Sequence, residues 1–418
     1  MCTMDPTSST TAPVPFLDTP SPFGCERLML ASASPMDAQT LRDRTHARYP
    51  EFLETLEAMV NVDCGSYSPQ GVNTIADMCE RRFLDHGWEV ERRPHDGEPR
   101  LGDLLIGRLR GAGGPNVLLV GHMDTVFDDG ATAERPFFVD GDIARGPGVS
   151  DMKAGLLAGF FATHVLQDVD FDGFGTITYV CNPDEEIGSP YSGPVIRELA
   201  PAHDAALVLE GARANGDIVS SRKGITDFTI EITGRAAHAG VEPEKGRNAV
   251  LQAAHTILAL QGLNGRWPGV TSNVGVVRGG TRSNVVAERC ELQVDLRSPE
   301  LATLEEAEAE VARICADVAV PDVSITIDTH GWHRPMEMGE GARRLVDLAV
   351  AAASELGFEL RDAATGGASD ANTTSSAGTP TIDGLGPVGG DDHGPAEWVD
   401  LTSIVPRTAL LATIISRV

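Results

Sequence analysis

Five short stretches of this chain place a metal-binding or proton-transferring residue beside or just beyond an apolar run. "VLLVGHMDTV" reaches His122 and Asp124, and "GPGVSDMKAG" presents Asp151 between a Gly/Pro turn and an apolar helix. "GTITYVCNPDEEIGS" runs from strand-like residues into Asp184, Glu185 and Glu186. "AALVLEGAR" reaches Glu210, and "GGDDHGPAEW" carries His393 in a glycine-rich loop. Singly, each has an ordinary explanation: a solvated acidic turn, a helix N-cap, a hydrogen-bonded structural histidine. Together they do not. Sites in open α/β sheets form beyond the carboxyl ends of strands, so His122, Asp151, Glu186, Glu210 and His393 would converge on one sheet edge.

That convergence would bury three carboxylates, with Glu185 beside them, and each uncompensated ion brought out of water costs several kcal/mol. Two divalent cations would oppose the charges of Asp151, Glu186 and Glu210, with a bridging hydroxide completing neutrality. Mixed imidazole and carboxylate donors suit zinc, or cobalt or manganese, better than magnesium. Residues two apart in an extended chain point the same way. Asp124 is therefore expected to accept a hydrogen bond from the His122 ring nitrogen turned away from the metal. On an irregular turn, adjacent side chains diverge, so Glu186 can bind metal while Glu185 faces the metal-bound water. Zinc lowers the pKa of that water to about 7, and Glu185 can take its proton and pass it to a leaving nitrogen. The chemistry is metal-assisted amide hydrolysis.

The elements that must position these residues are legible in the periodicity. Helical spacing of Tyr49, Phe52, Leu53, Leu56 and Val60, then "TIADMCERRFLDHG", gives two helices before the strand "WEVERR". "DLLIGRLRG", "NVLLVGHMD", "GTITYVC" and "AALVLEG" read as strands, with "AGLLAGFFATHVLQ" a helix among them. Alternating strands and helices predict an α/β catalytic domain with a mostly parallel sheet. From 218 to 333 the order becomes β-α-β-β-α-β, which predicts an inserted ferredoxin-like α+β unit. The expected organisation is a disordered tail over 1–36, catalytic domain over 37–217 and 334–418, and a lid over 218–333.

Bulk composition narrows the partners. The 418 residues hold 61 acidic and 33 basic side chains, a net charge of −28. That argues against nucleic acid or an anionic membrane as partner, and it leaves an anionic substrate dependent on local cations. Seven scattered cysteines fit a reducing compartment. The Ser-, Thr- and Pro-rich head lacks the features of a signal peptide, and no apolar run approaches the roughly 18 residues of a membrane span. A cytoplasmic location is expected.

From Asp37 onward, the chain resembles the dinuclear-zinc peptidases that include acetylornithine deacetylase, succinyl-diaminopimelate desuccinylase, aminoacylase and bacterial glutamate carboxypeptidase. The motifs are "GHMDTV", "GVSDMKAG", "PDEEIGS", "LVLEGA", "GRAAHAG", "TRSNVVA" and "GGASDANTTSSAGTPTIDGLGPVGGDDHG", in that family's order. The resemblance implies a zinc-exopeptidase-like fold with two Zn2+ per chain. Asp151 would bridge them, His122 and Glu210 would hold one, and Glu186 and His393 the other. It implies Glu185 as the base, a cis peptide at Asp151–Met152, and a lid that also dimerises the chain. On the lid, His238 would polarise the scissile carbonyl, in cis or from the partner chain, and Asn284 would bind substrate. Arg334 resembles the arginine that holds the free carboxylate in the glutamate carboxypeptidase branch, with Lys223 and Arg297 weaker substrate-binding correspondences. His393 is followed by Gly394 where many relatives have Ser, and Ala154 stands where relatives often have Gly.

The expected function is therefore a zinc-dependent metallocarboxypeptidase or deacylase, cleaving an amide beside a free carboxylate in a small N-acyl amino acid or peptide. An acetylornithine deacetylase- or aminoacylase-like amidohydrolase is the near alternative. A non-catalytic zinc-binding scaffold is the distant one, but it has no use for Glu185 beside Glu186. The Gly-rich "RGAGGP" and "TGGASD" do not form a G-x-G-x-x-G turn between strand and helix, which sets nucleotide binding aside.

Overall fold

The computed structural model describes residues 36–418, side chains at 331 and 332 excepted. The expectation of a tail over 1–36 falls almost wholly outside them. At the centre is a six-stranded sheet in the order Glu89–Arg93, Leu104–Arg110, Thr176–Asn182, Val117–His122, Ala205–Val208, Thr381–Ile382. The first two pairings are antiparallel and the remaining three parallel. Its middle strand, Val117–His122, is buried at every residue, as expected where helices cover both faces of a parallel sheet. One covering helix, Ala154–Asp168, is apolar around almost its whole circumference and buried from Ala154 to Leu166. It approaches so closely that a Cβ on Gly155 would lie 1.8 Å from the Leu209 carbonyl oxygen. Glycine is required at that contact, which lies next to Glu210.

A four-stranded antiparallel sheet in the order Thr271–Gly279, Arg289–Ser298, Gly224–Thr233, Ser324–His333 forms the inserted unit. Helices Ala249–Gln261 and Leu301–Ala316 pack on one face, giving a core of its own around Ile230, Leu260, Leu292 and Val311. The strand Ile218–Arg222 is not part of this sheet. It pairs in parallel with Asp362–Thr365 on the catalytic side, so the first lid strand begins at Gly224, later than 218. The two connections run side by side, because Arg222 and Met336 exchange both backbone hydrogen bonds at 3.0 Å.

A last small sheet, ordered Gly389–Gly390, Trp398–Asp400, Ile143–Arg145, Phe138–Asp140, is antiparallel throughout. It zips the hairpin that bears His393 onto the strand just upstream of Asp151. The five described cysteines are free and buried, and no described helix is long and apolar enough to cross a membrane.

Candidate metal centre

Residues from five separate segments meet at the carboxyl edge of the central sheet. His122 ends the middle strand and is 1% exposed. Its Nε2 lies 3.0 Å from Asp151 Oδ1 and 3.7 Å from Glu210 Oε1. His393 Nε2 lies 3.1 Å from Asp151 Oδ2 and 3.1 Å from Glu186 Oε2. Asp151 thus turns one oxygen toward each imidazole. Candidate ligand atoms of His122, Asp151 and Glu186 all fall within 4.8 Å of one another, as do those of His122, Glu185 and Glu210. The Asp151–Met152 peptide is cis. Asp151 caps no helix, since the N-cap of the following helix is Lys153.

The acidic triplet divides its labour. Asp184 is fully buried and accepts the Tyr191 N–H at 2.6 Å and the Ser192 N–H at 3.3 Å, fixing the start of the helix Ser192–Leu199. Glu185 and Glu186 open a single 3-10 turn. Glu185 groups with His122 and Glu210, whereas Glu186 faces Asp151 and His393. Asp124 holds this turn. Its carboxylate accepts the Glu185 N–H at 3.1 Å, the Glu186 N–H at 3.2 Å and the Ser66 hydroxyl at 2.7 Å. The expected bond between Asp124 carboxylate and His122 is correspondingly looser. His122 Nδ1 sits 2.9 Å from the main-chain carbonyl of Asp124 and 3.4 Å from its carboxylate. Either acceptor leaves Nε2 turned toward Asp151.

The electrostatics describe a site built for cations. Burial pushes Glu185 and Glu210 well above the usual carboxylate range, with the Glu210 charge further raising Glu185 and the Asp151 charge further raising Glu210. Burial also raises Glu186, against its hydrogen bond from His393. Asp151 is held low despite burial, because His122 and His393 both donate to it. His393 is pushed up to about 11 by Asp151 and Glu186. Glu186 Oε1 is buried without a hydrogen-bond partner, a costly condition unless a cation takes the lone pair. Oxygen and imidazole donors, an orphaned carboxylate oxygen and concentrated negative charge all fit divalent ions of the zinc type.

The lid residues lie apart from this cluster. His238 and Asn284 are neighbours on exposed loops, joined by the bond from Ala239 N–H to the Asn284 carbonyl and by the His238–Val285 bridge. Among the described residues no hydrogen bond or ion pair links either to the carboxylates. Arg334 places its guanidinium 3.7 Å from Glu308 and 3.8 Å from Glu305, on the lid helix. Arg297 is paired with Asp295 inside the lid at 2.8 Å, and also donates to the Gly366 carbonyl of the catalytic portion at 2.9 Å. Lys223 lies at the crossing, where its carbonyl accepts from Asn372.

Several participants have no counterpart in the sequence reading. Arg222, nearly buried, pairs with Asp383 at 2.7 Å and donates to the Gly367 carbonyl. Asp370, pushed up to about 7 chiefly by burial, accepts from Ser189 and Asn182. Glu397 is 1% exposed and accepts three backbone N–H groups around Asp151. Burial pushes it up to about 7 against those bonds. Both Arg222 and Asp383 sit at strand ends, so the rule that singles out His122 and Glu210 would have reached them too. Beside Glu186 a groove of about 460 Å3 is walled by Tyr67, Val126, Phe127 and Ile187, with Asp128 and Asp129 among its acids.

A model of peptidase family M20/M25/M40 matches residues 118–417. Carboxypeptidase G2 of Pseudomonas sp. (strain RS-16) is 32% identical over 372 residues, spanning 88% of this chain and 89% of that protein. Acetylornithine deacetylase of Shigella sonnei is 30% identical over 281 residues, 62% of this chain and 70% of that protein. Among solved structures, the aminopeptidase PepT of Bacillus cereus shares the fold with a TM-score of 0.75 at 24% identity, covering 88% of this chain and 98% of PepT. The M20 family metallo-carboxypeptidase Sso-CP2 of Sulfolobus solfataricus does so with a TM-score of 0.70 at 16% identity, over 88% and 98%.

Proposed function

This chain belongs to peptidase family M20/M25/M40 and is a metal-dependent hydrolase of the amidohydrolase and exopeptidase kind, and from that premise we propose that it cleaves an amide beside a free carboxylate. The substrate is a small N-acyl amino acid or peptide. The observation that carries this reading is the pair of Asp151 oxygens, one turned to His122 and the other to His393. Two zinc ions, replaceable by cobalt or manganese, fit such a shared carboxylate. His122 and Glu210 would hold one ion and Glu186 and His393 the other, with Asp151 shared between them. Bound ions of this type lower the pKa of water to about 7 and polarise a carbonyl oxygen.

The chain's own residues do the rest. Glu185 takes the proton from the attacking water and passes it to the departing nitrogen. Asp124, through the two amides it binds, keeps Glu185 and Glu186 on their separate sides. The acids at the groove beside Glu186 repel a free carboxylate, which directs the acyl end of the substrate there and the carboxylate toward the lid. His238 polarises the scissile carbonyl and Asn284 binds substrate, with Lys223 and Arg297 at the lid connection. Mass-spectrometric profiling over N-acyl amino acids, dipeptides and glutamyl amides, with metal-free protein as control, tests the reading. Hydrolysis confined to amides without a free carboxylate would overturn it.

Arg334 reads the carboxylate. Its contacts with Glu305 and Glu308 are long and half-exposed, so a substrate carboxylate can replace them through two parallel charged bonds. Arg334→Ala should cost about 2–5 kcal/mol in kcat/KM for substrates with a free carboxylate. Amidated analogues should be poor substrates that the substitution hardly worsens. Equal losses on both would make Arg334 a support of the lid connection.

The chain forms a homodimer through its lid. Strand Thr271–Gly279 is an open sheet edge, and the adjacent helix exposes Val250, Leu251 and Leu258, the last at 74%. An open edge beside an apolar face favours self-association. In that dimer His238 acts on its own or the neighbouring chain's site. Light scattering should give twice the 44.2 kDa chain mass, with Leu258→Asp shifting it toward monomer. An active monomer at assay concentration would refute the arrangement.

A further inference from the structure

Glu397 lies four residues beyond His393, yet neither of its oxygens faces the ligand cluster. Oε1 accepts the N–H groups of Ser150 at 2.8 Å and Asp151 at 3.0 Å, and Oε2 accepts that of Gly148 at 2.9 Å. These are bonds across roughly 250 positions of chain, since the separations are 246 to 249 residues. Gly148 sits at φ +72, where a Cβ would also strike Thr125, so the turn can present its N–H to the carboxylate only as glycine. On its far side Glu397 is locked by the small sheet, in which its neighbour Trp398 pairs with Arg145. Arg145 in turn donates to the Ala396 carbonyl at 2.6 Å. One buried carboxylate therefore ties the His393 hairpin to the backbone of Asp151.

We propose that Glu397 is a positioning residue that aims Asp151, so that both halves of the metal centre depend on it although it binds no ion. The proposal rests on Asp151 being the shared ligand. Bonds from three donors within four residues, the N–H groups of Gly148, Ser150 and Asp151, fix the peptide planes on the N-terminal side of Asp151. Because Asp151 turns one oxygen to each imidazole, a small rotation of its backbone misplaces both contacts together. A support acting on one half alone would not do this. Outer contacts of this kind typically change metal affinity by about 10–100-fold.

The test is titration of chelator-treated full-length protein with Co2+ alone, followed by calorimetry and by the visible absorption of the bound ion. Wild type should take two equivalents. Glu397→Gln keeps the reach and one carbonyl acceptor, so both equivalents should weaken together by about tenfold or more, with an altered Co2+ spectrum. Glu397→Asp keeps the charge but is one methylene short, and should be weaker still. The reverse order, Asp near wild type and Gln far below, would show that charge matters and reach does not, and would overturn the proposal. Weakening of only one equivalent, or none, would overturn it too. A wild-type chain that takes up no Co2+ would remove the metal reading itself, a distinguishable failure. One readout needs no variant: hydrogen exchange of the amides at 148–151 in the metal-free wild type should be strongly protected. Exchange at the rate of an open loop would sink the assignment.

Discussion

Glu185→Ala should retain its full complement of metal and its fold while losing activity by about 10²–10⁴-fold, the range of a missing general base. Glu185 opens the same turn as Glu186, but its carboxylate lies with His122 and Glu210, away from His393. Burial, then the Glu210 charge, raises its proton affinity above that of an ordinary carboxylate, which suits a group that must take a proton from water and hand it on. Glu186 offers the orphaned oxygen and the contact to His393, so Glu186→Ala should lose metal first and activity in consequence. Elemental analysis beside kcat separates the two variants. Metal loss in Glu185→Ala with retention in Glu186→Ala would invert the assignment, and the grouping of Glu185 with two ligands makes that comparison a stringent one.

Chelation should abolish hydrolysis, and zinc, cobalt or manganese should restore it, with about two ions per chain in active protein. Asp151→Ala should hold neither ion firmly, because among the described residues the two imidazoles share no other carboxylate within 3.1 Å. His393→Ala should keep the ion on the side of His122 and Glu210 and lose the other. Activity should fall below detection in Asp151→Ala, since it removes the carboxylate that contacts both His122 and His393. Active wild-type protein containing a single ion would defeat the dinuclear arrangement, and Asp151→Ala retaining two would defeat the bridge.

What could be read from the chain beforehand followed from local periodicity and strand ends. His122 and Glu210 lie at or just beyond the ends of buried strands with unmistakable apolar patterns. The β-α-β-β-α-β order of the lid was equally visible. The helix Pro69–Asp85 starts five residues before the apolar spacing does, because Pro69 presets the first turn without needing an N–H partner. Ile218–Arg222 carries two apolar residues followed by three polar ones and does not alternate, and nothing local says that it pairs with Asp362–Thr365. Asp124 is legible as the partner behind His122, which its carboxylate meets at 3.4 Å, but its bonds to the amides of Glu185 and Glu186 are not, because they depend on a turn 61 residues away. Glu397 was invisible for a different reason. Its strand neighbours, Gly389–Gly390 and Trp398–Asp400, are too short to show a period, and its partners lie in another region of the chain.

The double backbone bond between Arg222 and Met336 has an architectural meaning. Both chain crossings leave the catalytic sheet at one spot, so everything from Gly224 to His333 hangs from it as an appendage with adjacent roots. The appendage carries its own apolar core, separate from that of the catalytic sheet. Adjoining ends are the condition under which whole domains can be spliced in or out of a host, and closing a short gap costs little chain entropy. A grafting experiment could trim the appendage to a turn between Lys223 and Arg334, or exchange it for another of similar footing, without redrawing the order of the central strands. The segment from Gly224 to His333 and the cluster of His122, Asp151, Glu186, Glu210 and His393 are thereby carried on parts that can be inherited separately.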